Sequence, residues 1–145
     1  MDIRDRYPIV VTEHKAACQA FWQRYFGLVI VFDSDWFVLL GNETQGSVVA
    51  FMTPDHPSAP PGPQTYSGQG MCLELEVDDA EQALATLQQR GGAADYPLTR
   101  EPFGQCRFGV RDPSGLWVDV VEQVTPEEGY WDKYMKAAAR FSESD

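Results

Sequence analysis

The sequence predicts an α+β fold in which one β-α-β-β-β unit occurs twice. The same order of strand-like and helix-like segments is found in module 1, residues 7–54, and in module 2, residues 71–123. An offset of 66 residues aligns the two modules and places Val11 on Val77 and Arg24 on Arg90. The chain has 145 residues, 43% of them hydrophobic, which suffices for one domain with a real core.

Module 1 begins with a short β-branched strand over 7–12 and continues with a helix over 13–26. The helix carries apolar residues three and four positions apart, and Gly27 stands where a C-terminal cap belongs. Three further strands follow, separated by turn-forming Asp, Ser, Asn and Gly residues. Their predicted ranges are 28–33, 36–41 and 47–53.

Module 2 repeats this order. Its first strand, over 72–77, leads into a helix over 79–90 that has one apolar face and is followed by Gly91. The later strands are predicted over 94–98, 106–111 and 116–123. Between the last two, Asp112-Pro113-Ser114-Gly115 has the proline and the glycine of a tight hairpin turn.

Two segments lie outside the modules. Residues 55–70 are rich in proline and predict a linker that acts as a mobile lid or arm. Thr125-Pro126-Glu127-Glu128 combines an N-cap residue, a proline at the first helical position and capping-box chemistry. These residues predict a C-terminal helical extension over 125–141.

Charge and cysteine usage narrow the classes of partner. The chain has 22 acidic and 11 basic side chains and a formal net charge of −11 at pH 7. Nucleic acid and anionic membranes repel such a charge, so we expect neither as a partner. The three cysteines show no close pairing, the first residues are charged and no apolar run reaches transmembrane length. These features predict a cytoplasmic protein with reduced thiols.

Two motifs in module 2 point to a family. Glu101-Pro102-Phe103-Gly104 is followed by Asp112-Pro113-Ser114-Gly115, within a chain that repeats the β-α-β-β-β order. In these respects residues 7–123 resemble the vicinal oxygen chelate superfamily of glyoxalases, extradiol dioxygenases and fosfomycin- and bleomycin-resistance proteins. The resemblance implies a single glyoxalase/bleomycin-resistance-like domain over 1–145, a cupped eight-stranded mixed sheet and a homodimer. The chain looks most like the bleomycin-resistance type, which implies antibiotic resistance by drug binding.

The resemblance also raises the question of a metal. Enzymes of the superfamily hold a divalent metal in the cup, with His or Glu ligands on the first, fourth, fifth and eighth strands. Carried over to this sequence, the first-strand position falls on Arg6 or Tyr7, the fifth on Cys72 and the eighth on Asp119. One carboxylate and one thiol are fewer than the three ligands that a catalytic site needs. We therefore expect no metal and no other cofactor, and we assign no catalytic residue.

Strand alternation predicts which side chains line the cup. If apolar residues of the fifth and eighth strands pack on the helices, the opposite positions point inward. These inward positions are Cys72, Glu74, Glu76, Trp117, Asp119 and Val121. The carboxylates of Glu74 and Asp119 beside an indole suit a cationic or aromatic ligand. In an alternative interpretation, Glu74 and Glu76 form a solvated rim that counters Arg107 and Arg111.

An aromatic hairpin in module 1 adds two candidate residues. Trp36 and Phe37 match, in type and place, the aromatic residues that stack on the drug in bleomycin-resistance proteins. We interpret both as ligand-binding residues. The alternatives are a core position for Phe37 and a position against a partner subunit for Trp36.

Three function classes follow from these features. The first is a metal-free small-molecule binding protein that sequesters a cationic or aromatic compound in a cup at a dimer interface. The second is a divalent-metal-dependent lyase, isomerase or dioxygenase of the glyoxalase type. The third is a dimeric interaction scaffold. The incomplete ligand set, the acidic cup and the hairpin aromatics favour the first class.

Overall fold

The computed structural model describes residues 1–56 and 64–135, and these contain both predicted modules. The first consists of β1 (Ile9–Val11), α1 (Lys15–Phe26), β2 (Val29–Asp33), β3 (Phe37–Asn42) and β4 (Gly46–Met52). The second consists of β5 (Cys72–Glu76), α2 (Ala80–Gln89), β6 (Tyr96–Glu101), β7 (Gln105–Arg111) and β8 (Trp117–Gln123). The repeated α+β fold is therefore confirmed. Strand β6 runs beyond its predicted end because Glu101 still pairs with Gln105 across the bend.

The eight strands form two four-stranded sheets, one in each module. Their orders are β1-β4-β3-β2 and β5-β8-β7-β6, and both sheets are mixed. The first strand of each module pairs in parallel with the last, and the other neighbours are antiparallel. The outer edge of β1 is bonded to a chain segment outside the sheets, because the Tyr66 N–H donates to the Val11 carbonyl oxygen at 2.8 Å.

Both helices contribute to one hydrophobic core. Helix α1 packs on β3 and β4, and α2 packs on β6, β7 and β8. Trp22 from α1, Phe51 from the first sheet and Phe108 from the second are at most 1% exposed. Each such ring buries on the order of 150–250 Å², so these three residues stabilise the joined modules strongly. Neither of the described helices has the length and apolar character needed to cross a membrane.

The two helices meet near their C-terminal ends, where positions related by the 66-residue offset are in contact. The Arg24 Nε–H donates to the main-chain oxygen of Arg90 at 3.1 Å. The Arg24 guanidinium also lies beside Gly91, and the Arg90 guanidinium lies beside Gly27. Each arginine thus places positive charge at the negative end of the other module's helix dipole. Such reciprocal contacts are those of two similar units packed about a pseudo-twofold axis.

The hairpin between β7 and β8 is tied to α1 through Asp112, which is 4% exposed. Its Oδ1 accepts hydrogen bonds from the N–H groups of Ser114 at 2.8 Å and Leu116 at 3.1 Å. Its Oδ2 accepts the indole N–H of Trp22 at 3.0 Å. The predicted turn is therefore also a contact between the modules.

The C-terminal extension differs from the predicted helix where the structure describes it. Residues 128–134 form turns, and Gly129 has a φ of 77°, a left-handed conformation that interrupts a right-handed helix. The Trp131 indole N–H donates to the Phe103 carbonyl oxygen at 2.9 Å and holds these turns against the preceding bend. The predicted residues 136–141 lie outside the described residues.

The predicted linker over 55–70 is described except for residues 57–63. Its second part is bonded to both modules. Tyr66 packs against the core, and the Gly68 carbonyl oxygen accepts a hydrogen bond from Arg111 Nη1 at 3.2 Å. Residues 64–70 are thus attached to the two modules at Tyr66 and Gly68, while the other residues of this stretch are exposed.

Candidate functional site

The face of the second sheet that points away from α2 carries four of the predicted site residues. We call it the open face. In the parallel register of β5 and β8, Cys72 lies opposite Trp117, and Glu74 lies opposite Asp119. The alternate residues Val118 and Val120 are buried in the core beneath the helices. The structure therefore brings Cys72, Glu74, Trp117 and Asp119 together.

Asp119 is the centre of a polar network on the open face. Its Oδ2 accepts a hydrogen bond from Arg107 Nη1 at 3.1 Å, and its Oδ1 accepts one from the Trp117 indole N–H at 2.7 Å. Asp119 is 6% exposed, and a carboxylate removed from water costs several kcal/mol unless it is paired. Both carboxylate oxygens are thus engaged within the protein.

Arg107 extends the network to β6. Its Nε–H donates to Glu101 Oε2 at 2.8 Å, and the Tyr96 hydroxyl donates to the same oxygen at 2.9 Å. The guanidinium carbon also lies 5.5 Å from the ring centres of both Tyr96 and Phe103. Two carboxylates and two aromatic rings therefore surround this side chain, which orients it firmly.

We expect Glu101 to make the stability depend on pH in the acid range. Hydrogen bonds from Arg107 and Tyr96 hold the pKa of Glu101 below its ordinary value of 4.5. When the pKa of a carboxyl group is lower in the folded state than in the unfolded state, ionisation of that group stabilises the fold. This stabilisation is fully present above the unfolded-state pKa and is lost as the pH falls through the folded-state pKa. Glu101→Gln should therefore lower the urea midpoint at pH 7 and flatten its decline below pH 4.5.

The measurement is urea denaturation of wild type and Glu101→Gln over a series of pH values. Glu13→Gln is the matched control, because Glu13 is exposed and forms no hydrogen bond or ion pair within the described part of the chain. An acid decline of the same steepness in wild type and in Glu101→Gln would contradict this role of the ion pair.

The indole of Trp117 packs on the sheet where Gly109 leaves room for it. A Cβ atom added at Gly109, which pairs with Asp119 across β7 and β8, would lie only 2.3 Å from Cζ2 of the indole. The Arg111 guanidinium carbon lies 5.2 Å from the ring centre of Trp117. The indole thus covers the strand where the absence of a side chain leaves room for it.

Glu74 and Glu76 are both exposed, as the alternative interpretation proposed, but neither pairs with Arg107 or Arg111. Arg107 pairs with Glu101 and Asp119, and Arg111 donates to the main-chain oxygens of Gly68 and Gly115. Glu76 accepts a hydrogen bond from Gln123. The exposed carboxylate of Glu74 has no hydrogen bond or ion pair with any described residue. It is the open acceptor beside the network.

We expect Glu74 to slow the reaction of the neighbouring thiol. Cys72 is exposed, and desolvation, together with the negative charges of Asp119 and Glu74, raises the pKa of its thiol. The thiolate is the reactive form, so Glu74→Gln should speed alkylation of Cys72 at neutral pH. Burial raises the pKa of Cys18 to about 12, and this thiol should react only after unfolding.

Peptide mass spectrometry after timed iodoacetamide treatment measures both rates. Glu76→Gln is the control, since Glu76 lies one pair further along the same face. An unchanged or slower rate at Cys72 in Glu74→Gln would show that the two side chains are not electrostatically coupled.

An open groove of about 800 Å³ separates the two modules beside Glu74. Residues 5–8 line one side, residues 73–77 line the other, and the β3–β4 hairpin contributes Asn42 and Ser47. A drug-sized ligand occupies a pocket of roughly 300–1,000 Å³. The groove is therefore large enough for a small molecule, and Glu74 and Glu76 supply acidic side chains to it.

The remaining predicted residues, Trp36 and Phe37, belong to the first sheet. Trp36 stacks on His56 with ring centres 3.9 Å apart and an angle of 9° between the planes. Phe37 starts β3, pairs with Met52 and lies 6.2 Å from the Phe32 ring centre. Within this chain the two rings are thus grouped with each other, with Phe32 and with His56 at the start of the linker.

Comparisons with known proteins support the family. Residues 5–120 match the model described as the Glyoxalase/Bleomycin resistance protein/Dioxygenase superfamily. The chain belongs to this superfamily. Among proteins with curated functions, none matches its sequence.

Solved structures of the superfamily share the fold. Lactoylglutathione lyase from Agrobacterium tumefaciens is 20% identical with a TM-score of 0.65, and the alignment covers 84% of this chain and 96% of that chain. A glyoxalase/bleomycin resistance protein/dioxygenase from Nocardioides is 17% identical with a TM-score of 0.68 over 89% of this chain and 88% of that chain. At these identities the likeness extends to the fold alone.

The residues of this superfamily member do not fit a divalent metal. At one of the positions where the family's ligands are expected, both carboxylate oxygens of Asp119 already accept hydrogen bonds, one from Arg107 and one from Trp117. Across residues 1–56 and 64–135, no three His, Cys, Asp or Glu side chains are grouped so as to hold an ion.

Sequence reasoning placed Trp117 beside Asp119 but did not predict the bond from Arg107 to Asp119, since it set Arg107 against Glu74 and Glu76. Arg107, Gly109 and Arg111 alternate along β7, so all three share the open face with Asp119 and Trp117. This alternation of polar residues and a glycine was a readable signal. Without the register of β7 against β8, however, the sequence does not tell which carboxylate Arg107 meets.

Proposed function

We propose that this superfamily member is a metal-free small-molecule binding protein that sequesters an aromatic compound bearing a cationic group. The observation that supports this proposal is the contrast between two neighbouring carboxylates. Asp119 is engaged on both oxygens, whereas Glu74, its partner in the strand register, is exposed beside the groove. Asp119 thus organises the open face, and Glu74 is available to a ligand.

The charges of the open face favour a cation. The network contains one guanidinium, from Arg107, and two carboxylates, from Glu101 and Asp119. Its sum is therefore one negative charge. Glu74, Glu76 and Arg111 share this face and bring its total to two negative charges. These charges would repel an anionic ligand. The side chains of the open face are already fixed by hydrogen bonds, so they need not be reordered when a cation binds.

The apolar part of the proposed ligand site comes from a second copy of the chain. On the edge strand β2, Ile30, Val31 and Phe32 are 40%, 55% and 56% exposed, and such an edge invites a partner. In the proposed homodimer this region of one subunit, with Trp36 and Phe37, borders the open face of the other. Light scattering at micromolar concentration should then give twice the 16.3 kDa chain mass.

Calorimetric titration tests the proposal. The ligands are a bleomycin-type glycopeptide, 1-naphthylmethylamine as an aromatic cation and 1-naphthoate as the matching anion. The amine should bind and the anion should not. Glu74→Gln should weaken the amine by about 1–3 kcal/mol, the range for a charge-assisted hydrogen bond. Trp36→Ala should weaken it by about 1–2 kcal/mol through a lost cation–π surface.

Glu81→Gln provides the control, because Glu81 lies exposed in the first turn of α2 and should not alter binding. Tight binding of the anion, strengthened by Glu74→Gln, would reverse the proposed polarity. Elemental analysis of protein purified without chelator tests the metal-free part, and about one tightly held divalent ion per chain would overturn it.

A further inference from the structure

We infer that Arg107 is a built-in cation of the open face, which fills the cation site formed by Asp119 and Glu101 and binds a neutral carbonyl oxygen of the ligand. The inference rests on the proposed function for its ligand and on the structure alone for the cation site. Arg107 is then a second polar subsite beside Glu74. Through it the chain can bind a ligand oxygen, although its own side chains do not fit a metal.

The surroundings of Arg107 are those of a site for an organic cation. Two carboxylate oxygens lie 2.8 and 3.1 Å from Nε and Nη1. The rings of Tyr96 and Phe103 are both 5.5 Å from the guanidinium carbon. Charge-assisted hydrogen bonds combined with aromatic faces bind guanidinium groups selectively. Asp119 is buried, so without a cation it would be left as an uncompensated charge.

One edge of the guanidinium remains available. Arginine has five N–H donors, and Nη2 donates to no residue of the described chain. The Arg107 side chain is 28% exposed, against 12% for Glu101 and 8% for Asp119. The accessible part of the cluster is therefore the arginine, and the carboxylates that hold it are largely covered.

The charge balance selects the class of oxygen. Arg107 with its two carboxylates carries a net charge of −1, and the face as a whole carries −2 when Arg111, Glu74 and Glu76 are included. Glu74 lies opposite Asp119 in the register. A carboxylate or phosphate would meet this excess of negative charge. A carboxamide avoids it, because its carbonyl oxygen can accept from Nη2 while its N–H can donate to Glu74. The expected ligand class is thus an aromatic carboxamide, alone or as part of a cationic molecule.

Calorimetry with 1-naphthamide tests the carbonyl subsite, with 1-naphthylmethylamine as the reference for the proposed function. In Arg107→Lys the charge is kept and the Nη2 edge is lost. Naphthamide should bind on the order of tenfold more weakly or worse, the range for a hydrogen bond to a charged group, and the amine should change less than twofold. Arg100→Lys is the control and should leave both affinities unchanged, because Arg100 is exposed and pairs with Cys106, on the other face of the sheet from Arg107.

Thermal denaturation tests the cation site without any ligand. Arg107→Ala should melt at a lower temperature than wild type, and millimolar methylguanidinium chloride should raise its melting temperature, while equal sodium chloride should not. If this variant does not fold, Arg107→Ala combined with Asp119→Asn should fold again, since the uncompensated charge is removed.

The outcomes are separable. Equal naphthamide affinity in wild type and Arg107→Lys overturns the carbonyl subsite, as does wild-type protein that binds the amine and not the amide. A melting temperature of Arg107→Ala that is unaffected by methylguanidinium overturns the cation site. Failure of wild type to bind the glycopeptide and all of the naphthyl compounds overturns the proposed function and the carbonyl subsite together, and leaves the thermal result to decide on the cation site.

Discussion

Asp112→Ala should lower the free energy of unfolding by about 2–4 kcal/mol, because it breaks a buried hydrogen-bond network and each buried donor left unsatisfied costs about 1–3 kcal/mol. The carboxylate accepts hydrogen bonds from Ser114 and Leu116 on one oxygen and from the Trp22 indole on the other. Trp22 and Leu116 are fully buried. The indole N–H would lose its partner without gaining water, and the Leu116 N–H would keep only its longer bond to Ser114 Oγ at 3.3 Å. The loss should therefore loosen the hairpin and the packing of α1 together.

Urea denaturation at neutral pH measures this loss. Asp112→Asn keeps one acceptor oxygen and should cost less than the alanine change. Asp35→Ala, at an exposed turn position, should stay within about 0.5 kcal/mol of wild type.

A double-mutant cycle isolates the bond between the modules. Trp22→Phe should cost about 1 kcal/mol less in the Asp112→Ala background, because the indole hydrogen bond is already absent there. Strictly additive losses would mean that the bond between Trp22 and Asp112 contributes nothing.

Gly109→Ala should lower the free energy of unfolding by about 2–4 kcal/mol, the combined range for overpacking and for a lost hydrogen bond to a charged group. The added methyl group would lie 2.3 Å from Trp117 Cζ2. The indole cannot move away freely, because its N–H is bonded to Asp119 at 2.7 Å. Either the bond breaks or the strands shift, and both change the open face.

Urea denaturation measures this change. The same glycine substitution in a Trp117→Leu background is the control, since the ring that collides with the new methyl group is then absent. We expect the cost to fall below about 1 kcal/mol there, as for an ordinary unstrained substitution. An equal cost in both backgrounds would place the strain somewhere other than at the indole.

The fold of the modules could be predicted because its signals are local. The apolar spacing of α1 and the glycine after it, Gly27 with φ 65°, belong to one short stretch of chain. The turns of the C-terminal extension could not be predicted, because they depend on a contact with a residue distant in sequence. Its capping residues favour a helix, but Gly129 and the bond from Trp131 to Phe103, which is distant in sequence, favour turns. Tertiary contact outweighs local propensity in that segment.

The composition of the open face was accessible from alternation, and its pairing was not. A strand has a side-chain period of two, which suffices to group Glu74 with Asp119 once the two strands are neighbours. The long side chain of Arg107 can reach several carboxylates from its place in β7. Its actual partners, Glu101 and Asp119, depend on the register of three strands.

The reciprocal contacts of Arg24 and Arg90 have a consequence for how the chain can be divided. Because each half supplies charge to the helix end of the other, the halves recognise one another like the subunits of a small dimer. The covalent connection then acts as a tether that raises their effective concentration, a contribution that depends on its length. Two separate polypeptides, residues 1–56 and 64–145, should accordingly reassemble, and their dissociation constant would report the strength of the inter-module interface.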